Sequence, residues 1–273
     1  MNRINKLFQD KRENILSIYF TAGFPKLNDT ITIINELEQN GVDMIEIGMP
    51  FSDPLADGPT IQRSSEIALE NGMTIKLLFE QLKSLNSTVP LVLMGYLNPV
   101  LQYGVEQFCK DASALGISGV IIPDLPLQEY LDEYKSIFEK YSLKNIFLIT
   151  PQTSEARIRL IDECSDGFIY MVSSASTTGA KNEIGVEQEK YFKRISEMKL
   201  KNPIVIGFGI HNHQTFSKAC EYANGAIIGS AFVKAIDKSN DLKKDIGNFV
   251  ASIFGNTTQS QMSSRATTRD LPI

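Results

Sequence analysis

Cysteine and histidine are scarce, and neither is arranged for chemistry. The three cysteines, Cys109, Cys164 and Cys220, lie far apart and follow no metal-ligand spacing. They read as buried thiols on helix faces, which sets aside a zinc framework and a disulfide scaffold. The only two histidines, His211 and His213, have no convergent third ligand, so they read as surface helix-capping residues rather than a catalytic metal site. Long apolar runs are missing too: none approaches the length needed to cross a bilayer. The N-terminal stretch lacks a signal-peptide core and cleavage site, so a cytoplasmic address is expected. It reads instead as a short amphipathic helix with Ile4, Leu7 and Phe8 on one side. Cationic excess is also absent. A formal net charge of −5 argues against a nucleic-acid groove as the main business. It leaves room for an anionic substrate, because a few backbone N–H groups hold a phosphate locally.

What the chain does have is a repeat of short β-branched runs separated by helical stretches. Strands are expected at residues 15–20, 44–48, 91–96, 119–123, 145–150, 167–173, 203–209 and 225–230. Their apolar character is continuous rather than alternating, as in strands covered on their outer face. Helices are expected over 27–41 (capped by Asn28 or Asp29), 60–72, 74–85, 104–115, 127–141, 154–165, 187–199, 212–223 and 231–254. Eight such units match a (β/α)8 TIM barrel with an extra N-terminal helix, formed by residues 1–254 as one catalytic domain. An open doubly wound sheet would need a Gly-rich first turn, which is missing. Residues 255–273 are polar and Ser/Thr-rich, a tail expected to be mobile.

In a barrel, catalytic groups sit at the C-terminal strand ends and in the loops that follow. Glu46 stands between Ile45 and Ile47 in an apolar strand. Burial would raise its pKa toward the range useful for acid–base work, although a structural Glu paired with a cation fits the same pattern. The chain then runs through Pro50, Asp53, Pro54, Asp57, Gly58 and Pro59, a rigid loop that would present carboxylates at the barrel mouth. Asp53 also suits a plain turn position. Gly207-Phe208-Gly209 closes strand 7, and Gly229-Ser230 closes strand 8 and opens a helix. Together they suggest a phosphate site. Residues 173–185, small and bounded by glycines, suit a mobile lid that brings Thr178 and Gly179 over the phosphate. No expected strand contains a catalytic lysine, which sets aside a Schiff-base aldolase.

The run EIGMPFSDPLADG at 46–58 resembles, without interruption, the signature of the tryptophan synthase alpha subunit family. YFTAGFP (19–25), GYLNP (95–99), PDLP (123–126), GFGI (207–210) and GSAFVK (229–234) follow in the matching order. The resemblance implies a retro-aldol cleavage of indole-3-glycerol phosphate to indole and glyceraldehyde 3-phosphate, with neither metal nor organic cofactor. It implies Glu46 as the acid–base residue and Asp57 as the partner of the indole N–H. Gly179, Gly209, Gly229 and Ser230 would contact phosphate, and Thr178 would bond Asp57 on lid closure. Tyr19, Met94, Tyr96, Tyr170 and Phe208 would form or edge the indole pocket. It further implies a beta subunit that receives the indole in an alpha2beta2 heterotetramer, met through residues 50–54, 98–99 and 124–126. The sequence Ala175-Ser176-Thr177-Thr178-Gly179 departs from the family's more frequent Gly-Val-Thr-Gly, which bears on closure kinetics rather than on reaction class.

Overall fold

The computed structural model describes residues 1–173 and 184–255. Thr178, Gly179, most of the expected lid and the tail beyond residue 255 lie outside the described residues. The strands are β1 (Ile15–Thr21), β2 (Met44–Gly48), β3 (Leu91–Met94), β4 (Ile117–Ile121), β5 (Lys144–Ile149), β6 (Ile169–Val172), β7 (Ile204–Gly207) and β8 (Gly225–Ile228). All pair in parallel with their sequence neighbours, and β8 returns to β1, closing the barrel expected from the sequence. Both faces are covered: the lumen on one side, a ring of helices on the other. Every residue of β1 and β2 is therefore buried.

The leading helix, Arg3–Asp10, buries Ile4 and Phe8 while Leu7 packs at the margin. Phe8 meets Phe168 at a ring separation of 5.9 Å, tying the helix to the start of β6. Helix starts are chemically marked: Thr74, Ser154 and Asn212 each accept a backbone N–H from their own first turn. Pro59 occupies the first position of Pro59–Glu70, where its missing N–H costs nothing.

Several expected boundaries move, each for a local reason. The helix over Thr30–Gln39 has Asp29 at its cap position, but the carboxylate accepts from the Lys26 N–H instead of capping. β3 stops at Met94 rather than 96. The Gly95 N–H still donates to Ile121 O at 3.1 Å, and a helix over Leu97–Tyr103 follows that the sequence did not announce. Pro99 sits in its first turn, where no intrahelical donor is needed. β7 ends at Gly207 because Phe208 and Gly209 take φ of 66° and 75°, outside any strand conformation. The stretch 127–141 contains a wider π turn over Tyr130–Tyr134. The last long helix is two, Ser230–Ile236 and Leu242–Ile253, because the Asp241 carboxylate accepts from the Lys244 N–H and restarts the chain.

The cysteines all lie on helices, but only Cys109 is fully buried; Cys164 and Cys220 are half-buried. The histidines do not cap the helix His213–Cys220, but His213 reaches the last carbonyl of Leu242–Ile253. Asn212 caps the former, while His213 Nδ1 bonds Ile253 O at 2.8 Å and His211 Nδ1 bonds Gly209 O at 2.8 Å.

Candidate active site

β2 places Glu46 in register with Tyr19 of β1 and Val92 of β3. The side chain is 0 % exposed. Among the described residues its single hydrogen bond comes from Ser17, whose hydroxyl donates to Oε1 at 2.9 Å, while Oε2 is buried without a partner. No cation among the described residues offsets the burial, so desolvation pushes the carboxyl from its ordinary 4.5 up to about 8, against a smaller pull downward from Ser17. Glu46 therefore has, among the described residues, none of the ion pairing that a structural Glu would show.

Asp57 lies in the loop between β2 and the helix Pro59–Glu70. Its backbone is pinned at both ends: its N–H donates to Pro54 O at 3.0 Å, and its carbonyl accepts from Gln62 Nε2 at 2.9 Å. Tyr96, just past β3, donates its hydroxyl to Asp57 Oδ2 at 2.9 Å and accepts the Ala56 N–H at 3.0 Å. Burial raises the Asp57 carboxyl to about 6, and the Tyr96 bond restrains that rise. The ring of Tyr96 also packs on Phe51, with centroids 5.2 Å apart. Asp53, in the same loop, is exposed and bonded to its neighbour Ser52, as befits a turn residue.

Tyr19 and Tyr170 join the two acids. Both phenols are buried and held well above their ordinary pKa by burial, and both feel the charges of Glu46 and Asp57. Two carboxyl groups and two neutral phenols thus share one end of the barrel. Phe208 meets Tyr170 edge-on at 6.3 Å. Gly229 packs over Tyr19, where a Cβ would come 3.4 Å from the ring. Met94 ends β3, half-buried. Gly209 and Ser230 are exposed at the ends of β7 and β8. The residues expected to edge the indole pocket therefore gather, with the glycines above them, while Thr178 and Gly179 lie outside the described residues. Sequence reading overlooked Ser17, Thr21, Ser64 and Ser173. Ser173 donates to Phe208 O, and Thr21 and Ser64 share a buried bond of 2.6 Å. For Ser17 and Thr21 the available signal was a hydroxyl inside an apolar strand; Ser64 lies on the helix Pro59–Glu70 and Ser173 just past β6, where no such pattern marks them.

This arrangement has close relatives. The profile of the tryptophan synthase alpha chain family matches residues 5–262. The chain belongs to the tryptophan synthase alpha chain family. Its relatives include the tryptophan synthase alpha chain of Flavobacterium johnsoniae, 61 % identical across 93 % of this chain and 100 % of that protein. That of Flavobacterium psychrophilum is 62 % identical, with the same coverage of 93 % and 100 %. Among solved structures, the tryptophan synthase alpha chain from Legionella pneumophila superposes with a TM-score of 0.83 at 30 % identity, covering 98 % of this chain and 100 % of that one. Family membership makes this protein a carbon–carbon lyase of tryptophan biosynthesis that works with a beta-subunit partner. Among the described residues, no helix is long and apolar enough to cross a membrane.

Proposed function

We propose that the protein cleaves indole-3-glycerol phosphate, with Glu46 moving protons and Asp57 stabilising charge at the indole nitrogen. The observation that carries this reading is the separation of the two acids, one raised to about 8 and the other to about 6. Two carboxyls pushed apart in this way mark an acid and a charge stabiliser. At neutral pH Glu46 holds its proton and delivers it to indole C3, leaving an iminium in the ring. The hydroxyl of the attached side-chain carbon then returns a proton to Glu46 and becomes a carbonyl. The carbon–carbon bond breaks, and its electron pair restores the aromatic ring. Indole and glyceraldehyde 3-phosphate leave, and Glu46 is protonated as it began.

Asp57, ionised and held by Tyr96, faces the positive charge that appears at nitrogen only during this sequence, so its contribution falls on the transition state. The buried phenols Tyr19 and Tyr170 supply apolar walls, and Gly209, Gly229 and Ser230 offer backbone and hydroxyl donors to the phosphate. The beta subunit would meet the loops of residues 50–54, 98–99 and 124–126 in an alpha2beta2 assembly. Two features favour that surface. Leu55 is 88 % exposed, and Asp124 Oδ1 accepts the Leu97 N–H at 2.9 Å, locking two of the loops together. The direct test is indole release from indole-3-glycerol phosphate. Glu46→Gln should lower kcat by about 100-fold or more, and Asp57→Asn should lower kcat more than it raises KM. Turnover that survives Glu46→Gln removes Glu46 from the central role.

A further inference from the structure

We propose that Ser17 is a positioning residue for proton transfer: its hydroxyl fixes one oxygen of Glu46 so that the other is the one offered to substrate. The inference rests on Glu46 being the proton-transferring group. Ser17 is the only polar side chain in β1 below Tyr19, and it is 0 % exposed. A hydroxyl in a fully apolar position loses its hydration and needs a partner. Here that partner is Glu46 Oε1 at 2.9 Å, and Ser17 makes no other side-chain bond among the described residues. Glu46 Oε2 is correspondingly left without one.

The asymmetry has a chemical consequence. When Glu46 is protonated, Oε1 remains the acceptor for Ser17 and the proton resides on Oε2. When it is ionised, the same hydroxyl donates to a carboxylate, a stronger bond than to a neutral acid. Ser17 therefore fixes the carboxyl plane through the whole cycle and favours the charged state within it. The other titratable groups around Glu46 are Tyr19 on β1, Tyr170 on β6 and, beyond Tyr19, Asp57 with its partner Tyr96. The remaining strands present none except Lys144 at the first residue of β5, which is engaged with Asp166. Among the described residues, Ser17 is thus the only group donating a hydrogen bond to the acid.

The test uses the full-length chain labelled with carbon-13 at glutamate side chains, in which the resonance absent from Glu46→Gln identifies Glu46. Ser17→Ala and the near-isosteric Ser17→Cys should each raise the Glu46 titration midpoint by about one pH unit. Each should lower kcat for indole release by about tenfold with little change in KM. An unmoved midpoint in both variants overturns the proposal, as does a moved midpoint with native kcat. Neither outcome touches the assignment of Glu46 itself, which fails only if Glu46→Gln retains turnover.

Discussion

Replacing Glu46 by Gln should make the protein more resistant to unfolding as pH rises, even as it removes activity. In the unfolded chain the carboxyl returns to about its ordinary 4.5, whereas in the fold it titrates at about 8. The folded state therefore binds this proton more tightly. The associated stability is fully present below the unfolded value and is lost as pH rises through the folded one. Between pH 5 and pH 8 the loss amounts to roughly 3–4 kcal/mol, taking 1.36 kcal/mol per unit of pKa difference. Gln cannot titrate, so the variant escapes that loss, while every other group contributes equally to both proteins. Its amide would leave one buried N–H unpartnered where Oε2 now sits, a pH-independent cost of about 1–3 kcal/mol that shifts the comparison without changing its slope. For a chain of this size the midpoint of thermal unfolding, variant minus native, should climb by roughly 6–14 °C between pH 5 and pH 8. The measurement is circular dichroism melting of both proteins at several pH values. Parallel curves across that range would refute the reasoning, because Glu46 could not then be both buried and unpaired by a cation.

Tyr96→Phe removes the donor to Asp57, so its carboxyl should rise above about 6 and the acid limb of the rate profile should move up by about one pH unit. A limb that stays put would detach Tyr96 from Asp57's ionisation. Gly48→Ala would set a Cβ 2.2 Å from the Tyr19 hydroxyl, so the ring must swing. Indole release should fall by about tenfold or more while the chain still folds, a result read from paired kinetics and melting. Asp162, almost fully buried, accepts the backbone N–H groups of Lys201 and Asn202 at 2.9 and 3.0 Å just ahead of β7. Asp162→Ala should cost about 2–4 kcal/mol in urea unfolding, and a native-like midpoint would count against those bonds.

The barrel was legible because each strand announces itself by composition. MIEIG over Met44–Gly48 has the boundaries its residues suggest, being an apolar run closed by glycine. The helix Leu97–Tyr103 was not legible. Its start depends on Asp124 accepting the Leu97 N–H from a loop far along the chain, which no local pattern records. The end of β7 was missed for a different reason. Phe208 adopts a positive φ that its residue type disfavours, held there by surrounding structure that includes the Ser173 bond to its carbonyl.

The candidate site divides along the same line. The sequence alone singled out the candidate acids, because a carboxylate inside an apolar strand and an acid in a proline-rich loop are local facts. It determined the family as well, through an unbroken motif. Only the tertiary structure decided the state of those acids. Whether Glu46 meets a cation or a hydroxyl depends on what the neighbouring strand β1 brings beside it, and Ser17 lies 29 residues away in the chain. Whether Asp57 is free or held depends on Tyr96, 39 residues away, arriving from the end of β3. A pKa is set by the dielectric and the hydrogen bonds around a group, and closure of the barrel assembles both.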